Sequence, residues 1–237
     1  MGFPCHKRYS TRTQGKGAFF EERRARGDTG YVEKGKQKLT IYLVRHGETL
    51  FNVNDRMQGF SDSPLTDRGI QVAEKLGQGL KNIPFTAVYS STSERATDTA
   101  DLILKGRNIP VQTDKRLREI NFGSWEGEHG QKIMKEHPDL WTNPESFKAV
   151  GGETNAELYA RTQAALNDIA NANKEKGGNI LVVSHGVTIL NFALTLDPKS
   201  WNPAKQGGLP NASVTKLEWE DGKFKVVSVG DTSYTNP

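Results

Sequence analysis

Short runs of β-branched and aromatic residues alternate along this chain with stretches whose apolar positions recur every three or four residues. The runs read as strands and the longer stretches as amphipathic helices. Residues 39–44, LTIYLV, are apolar enough for a strand buried on both faces, and they break abruptly into Arg45-His46-Gly47. Residues 85–90 form a second such run and end in the hydroxyls Ser90, Ser91, Thr92 and Ser93. A third, residues 180–183, stops at Ser184-His185-Gly186. Residues 214–220 and 223–229 flank Asp221-Gly222, a two-residue hairpin signal.

Between the strands, Thr66 is placed to cap a helix with Asp67 in its first turn and Ile70, Ala73, Leu76, Gly77 and Leu80 on its core face. Thr154-Asn155-Ala156-Glu157 matches a capping box and predicts a helix to about Asn173, with Leu158, Ala165, Leu166, Ile169 and Ala172 facing the core. Gly177-Gly178 ends it. A further helix after His185 presents Val187, Ile189, Leu190 and Leu194, whereas residues 117–127 read as a loop with a short extended piece. The order predicts a three-layer α/β/α fold on a mostly parallel mixed sheet with a C-terminal hairpin.

The breaks carry the candidate chemistry. In open α/β sheets, ligands bind beyond the carboxyl ends of the strands, and that is where Arg45-His46 and His185 fall. Histidine can act as a covalent nucleophile, and the planar fork of arginine suits a phosphate. Two buried strands that both end in His-Gly are hard to assign to chance. The hydroxyl run before Arg95 opens a helix, and hydroxyls, free amides and a guanidinium there make an anion site. Residues 47–65, with Gly59, Ser61, Asp62, Ser63 and Pro64, form a polar loop placed to wall a pocket.

Composition changes this picture in two places. The net charge of +4 suggests a polyanion-binding protein, yet residues 1–38 hold ten Lys and Arg against four Asp and Glu. That segment carries +6, which leaves −2 for residues 39–237, so a nucleic-acid role is disfavoured and would rest on the basic extension alone. This extension cannot bury enough apolar surface to fold by itself and is expected to be disordered or a leader. The single cysteine, Cys5, excludes an intrachain disulfide and favours a cytoplasmic protein. No apolar run approaches a membrane span, no secretory h-region is present, and His6 stands where a myristoylation signal needs Ser or Thr.

With these residues in view, the chain resembles the histidine phosphatase superfamily, also called phosphoglycerate mutase-like, and within it the small broad-specificity phosphatases. The likeness runs from about Leu39 to the C-terminus. It rests on residues 43–49 (LVRHGET), Gln58-Gly59, residues 62–66 (DSPLT), residues 89–91 and 93–96, residues 117–120 (LREI), residues 122–127 (FGSWEG), Gly151-Gly152-Glu153-Thr154 and Ser184-His185-Gly186.

The resemblance implies a phosphomonoesterase that needs neither metal nor cofactor and acts on a small phosphate ester. His46 takes the place of the nucleophile that becomes phosphohistidine, and Arg45, Arg95 and His185 that of a cationic pocket for the phosphoryl oxygens. Glu119 resembles the general acid that protonates the leaving oxygen and then activates water. A carboxyl that must carry a proton implies a rate that falls above mildly acid or neutral pH. Asn52 and Gln58 match pocket-lining positions, and backbone near Gly186 is a candidate donor to phosphate. His6, His129 and His137 lack metal-ligand spacing.

A cofactor-dependent phosphoglycerate mutase is the alternative within the family. Only 23 residues separate Gly127 from Gly151, where such mutases are longer, so hydrolysis is favoured. A catalytically quiet phospho-ligand-binding protein is the alternative of another class. Residues 52–62, 122–147 and 201–211 are expected to wall the pocket, with Phe122, Trp125, Trp141, Phe147 and Trp201 either apolar substrate contacts or core. The phosphate ester itself and the choice between monomer and homodimer stay open.

Overall fold

The computed structural model describes residues 38–143 and 145–236. The basic extension expected over residues 1–38 lies outside them except for Lys38. Strands β1 (Leu39–Arg45), β2 (Phe85–Ser90), β3 (Val111–Thr113), β4 (Gly178–Ser184), β5 (Val214–Glu220) and β6 (Lys223–Asp231) form one sheet in the order β3-β2-β4-β1-β5-β6. β1, β2, β3 and β4 run parallel, and the β5-β6 hairpin adds antiparallel to β1. Asp221 and Gly222 both take positive φ, 51° and 78°, as the two-residue turn requires.

Alternate residues of β1 enter opposite cores, which is why its sequence is apolar throughout. Leu39, Ile41 and Leu43 meet helices α5 (Asn155–Asn173) and α6 (Gly186–Leu196) through Ala165, Leu166, Ile169, Ile189 and Phe192. Tyr42 and Val44 meet α2 (Asp67–Gly79) and α3 (Glu94–Ile103) through Leu76, Ala96, Ala100 and Ile103. A third, smaller cluster of Met57, Ile120, Phe122, Ile133, Leu140, Phe147 and Leu158 lies under the loops around the short helix α4 (Gly130–Glu136). Among the described residues no helix is long and apolar enough to cross a membrane.

Both predicted caps form. Thr66 accepts from the amide of Gly69, and Thr154 and Glu157 close a reciprocal capping box. Two predicted core positions are corrected. Ile70 is exposed, because the first turn of α2 is tied to Glu48 by the Thr66 amide, and Gly69 rather than Ile70 faces that backbone. Ala172 is exposed and its neighbour Asn173 is buried instead, its amide nitrogen donating to the Tyr89 hydroxyl and the Ile169 carbonyl. Residues 117–127 contain no strand; they hold two single-turn 3-10 segments, Lys115–Leu117 and Gly123–Trp125, around an irregular stretch.

Candidate active site

Pairing register decides what lies where. Arg45 stands opposite Ser184 in the parallel β1-β4 ladder, so the next residues, His46 and His185, emerge side by side at the carboxyl ends of the two strands. Their rings lie 5.3 Å apart between centroids, and both are buried. The His46 Nδ1 is 2.7 Å from the Gly47 carbonyl, an acceptor only, so Nδ1 carries the hydrogen and Nε2 keeps its lone pair. Burial pushes the His46 pKa well below its ordinary value, and the charges of Arg95 and Arg45 add to that against the opposing carbonyl of Gly47. The imidazole is neutral at physiological pH.

His185 is depressed in the same way, by burial first and then by Arg95 and His46. Burial and its cationic neighbours thus favour the uncharged imidazole. Its Nε2 lies 2.8 Å from the Ser91 hydroxyl.

Arg95 is fully buried at the start of α3, where its guanidinium meets the Asp62 carboxylate at 2.8 Å and the carbonyls of Ser61 and Gly59 at 3.0 Å each. The other oxygen of Asp62 accepts the Glu94 amide at 2.6 Å, and Ser91 accepts the amide of Ser93. The open helix start expected from the hydroxyl run is thus closed by protein groups, and Ser93 makes no side-chain cap. Arg45 donates to the Leu209 carbonyl; burial works against its charge and Glu119 supports it.

Glu119 is buried with its carboxylate at the start of α6. Oε2 accepts the amide of Val187 at 3.0 Å, and Oε1 accepts the amides of Ile120 and Thr188 and the Thr188 hydroxyl at 2.9 to 3.0 Å. Two first-turn amides of α6, those of Val187 and Thr188, which would be orphaned at a bare helix end, are satisfied in this way. Three buried nitrogens, Arg45 Nε, Arg95 Nε and His185 Nδ1, have no hydrogen-bond partner among the described residues. Leaving such a group unpaired costs about 1–3 kcal/mol, so three of them on residues flanking a neutral histidine mark a site shaped for an acceptor-rich ligand.

The family model of the histidine phosphatase superfamily (branch 1) matches residues 41–232. The chain belongs to the histidine phosphatase superfamily. A curated relative from Yersinia pestis (strain Pestoides F), named probable phosphoglycerate mutase GpmB, is 32% identical over 206 residues, 83% of this chain and 94% of its own. Among solved structures, the phosphoglycerate mutase from Bacillus anthracis str. Sterne is 36% identical with a TM-score of 0.78, covering 85% of this chain and 96% of that one. The phosphoserine phosphatase from Entamoeba histolytica, in complex with 3-phosphoglyceric acid, is 27% identical with a TM-score of 0.71, covering 83% and 99%.

In this member of the superfamily the remaining predicted positions divide. Gln58 is buried with its amide engaged, Oε1 accepting from Thr49 at 2.7 Å and Nε2 donating to Ser63 at 2.9 Å, so it braces the loop. Asn52 Oδ1 accepts the Thr49 amide and the side chain of Asn211. Gly186 packs on Arg45: a Cβ there would lie 3.1 Å from Nε, so a side chain would press that guanidinium aside by a few tenths of an ångström. Phe122 and Phe147 belong to the third core cluster, with Trp125 packed against it, while Trp141 is half exposed on its edge. Trp201 packs over Gly230 and donates to the Gly207 carbonyl.

Asn211, missed in the sequence, donates to the His46 carbonyl at 3.1 Å, and only its place in the expected 201–211 wall hinted at it. Among the described residues no group of three or more His, Cys, Asp and Glu side chains is arranged to hold a metal ion. His129 and His137 are exposed, with His137 against Trp125.

Proposed function

We propose that this histidine phosphatase is a phosphomonoesterase for a small phosphorylated metabolite and works through a phosphohistidine on His46. The observation that carries the reading is His46 held through Nδ1 by the Gly47 carbonyl, which leaves Nε2 for phosphorus, set among buried nitrogens that have no hydrogen-bond partner among the described residues. Nε2 attacks phosphorus as the bond to the leaving oxygen breaks, and that oxygen takes a proton from Glu119. Water then attacks the phosphohistidine and gives a proton to the Glu119 carboxylate, which returns His46 neutral and releases phosphate. Arg45, Arg95 and His185 meet the charge spread over the phosphoryl oxygens, which is the main demand of phosphoryl transfer. His185 Nε2 is engaged by the Ser91 hydroxyl, which leaves Nδ1 as the ring nitrogen available to the phosphoryl group.

A mutase reading is favoured by the names of the relatives from Yersinia pestis and Bacillus anthracis. The test is hydrolysis of p-nitrophenyl phosphate and a panel of metabolite phosphates in EDTA, by wild type and His46→Ala. Turnover that survives EDTA and disappears with His46→Ala supports the phosphatase. Interconversion of 2- and 3-phosphoglycerate that requires added bisphosphoglycerate, without hydrolysis, makes it a mutase, and inactivity in both assays leaves a binding protein.

A further inference from the structure

The stretch Gly151-Gly152-Glu153-Thr154 is not used by the chemistry above, yet its glutamate is tied to it. The Glu153 carboxylate accepts Nε and Nη2 of Arg161 at 2.7 Å each, and Oε2 also accepts the amide of Asn121 at 2.8 Å. The Glu153 amide in turn donates to the Asn121 carbonyl at 2.9 Å. Arg161, two turns along α5, directs its other hydrogens at the loop that carries the general acid. Nη1 donates to the carbonyls of Arg116 at 2.8 Å and Arg118 at 2.7 Å, and Nη2 to the carbonyl of Glu119 at 2.8 Å. All five hydrogens of one guanidinium are therefore used.

This fork replaces a backbone ladder. Residues 118–122 belong to no helix or strand, so their carbonyls need other partners, and three in the segment 116–119 find theirs in Arg161. The ion pair that orients it is mostly shielded, with side-chain exposures of 18% and 19%. Glu119 is consequently fixed twice, its carboxylate by the start of α6 and its backbone by α5.

We propose that Arg161, oriented by Glu153, is a positioning residue that sets the reach of the Glu119 carboxylate to the leaving oxygen and to the attacking water. The inference rests on the phosphatase reading above. Proton transfer needs a heavy-atom approach of about 2.6–3.2 Å. Attack by His46 does not need Glu119, whereas departure of a basic alkoxide and activation of water do. Losing the fork therefore discriminates between leaving groups, which loss of general stability does not.

The experiment compares wild type with Arg161→Met, Arg161→Lys and Glu153→Gln, using p-nitrophenyl phosphate, whose phenolate departs without a proton, and glycerol phosphate, whose alkoxide does not. Alkyl ester kcat is expected to fall about 100-fold, from a misplacement near ~1 Å, and the aryl ester kcat about tenfold or less. Acid-labile phosphoenzyme should rise with the aryl ester and its KM fall along with its kcat, while the alkyl ester KM should change by less than about threefold. Lysine should not rescue, since a point charge cannot serve five acceptor contacts.

Equal losses on both esters without added phosphoenzyme, or wild-type kinetics in folded variants, would overturn the proposal. Should the Arg161 variants fail to fold, Glu153→Gln, which keeps the guanidinium, is held to the same leaving-group criterion. A wild type that hydrolyses neither ester and forms no phosphohistidine removes the phosphatase reading and this inference with it. An active wild type with indifferent variants removes this inference alone.

Discussion

Asp62 binds Arg95 twice over: one carboxylate oxygen takes the guanidinium at 2.8 Å, and the other takes the backbone amide of Glu94 at the start of the helix that carries Arg95. Side chain and helix are thereby set by one group from a loop 33 residues earlier. Asp62→Ala leaves a fully buried guanidinium without its counter-charge. The expected cost is about 2 kcal/mol, below the ~3–5 of a wholly buried pair because Asp62 is partly exposed. Urea midpoints measure it, and Asp62→Asn, which keeps one of the two acceptor oxygens, should recover part of the loss.

The two buried histidines predict an acid-side loss of stability. Both are neutral in the fold, with pKa values pushed below the ordinary range, while in the unfolded chain each titrates near ~6.5. Below that pH the unfolded state binds more protons, so stability falls as pH drops, by about 1.4 kcal/mol per pH unit for each group until the depressed folded pKa is reached. Above about pH 6.5 they add no slope. Denaturation midpoints between pH 5 and 8 should show the decline, and His185→Asn should remove its share; an unchanged slope would count against the neutral assignment.

Gly186→Ala is a local probe of Arg45. The new methyl would stand 3.1 Å from Nε and press the guanidinium aside by a few tenths of an ångström. About a tenfold fall in kcat/KM is expected, together with weaker inhibition by inorganic phosphate and a melting temperature close to wild type. A phosphate Ki identical to wild type would show that Arg45 can be displaced without consequence.

Glu126 gathers the amides of Gly59, Phe60, Ser61 and Phe122 and the Ser61 hydroxyl, fixing the loop whose carbonyls hold Arg95. Burial works against its charge, but the hydrogen bonds from Ser61, Phe60 and Phe122 outweigh it and hold its pKa below the usual carboxylate value. A depressed folded pKa means stability that is present above the unfolded value of about 4.3 and lost as pH falls through the folded one. Glu126→Gln should lower the melting temperature at pH 7, by a margin that shrinks as pH falls below about 4.3. Thermal scans above and below that pH decide it.

The parts of this fold that were legible in the sequence are those set by neighbours along the chain. Buried strands showed as unbroken β-branched runs, the caps of α2 and α5 as Thr followed three residues later by their partner position, and the hairpin as Asp-Gly. What was not legible depends on contacts between distant segments. Ile70 fits the period of α2, yet the face that turns inward is chosen by Glu48, which lies outside the helix. Asn173 showed only as the end of a helix and is buried because Tyr89, on β2, supplies a partner.

The site followed the same division. Both histidines could be placed at strand ends, but their adjacency needed the β1-β4 register, and the neutrality of His185 needed its burial. Glu126, Glu153 and Arg161 carried no catalytic signature because their work is done on backbone groups, which every sequence has.

β1 is paired on both sides, by β4 and β5, along nearly its whole length. A strand so placed opens only when the sheet opens, and its amides belong among the last to exchange with solvent. The satellite cluster around Phe122, Leu140 and Phe147 has its own small core and can breathe without disturbing that strand. Under the proposed function, His46 would thus stand at the end of the slowest-opening strand, while Phe122 and its neighbours lie in a cluster of their own. Over generations, a chain built this way can wander in what it accepts while keeping what it does.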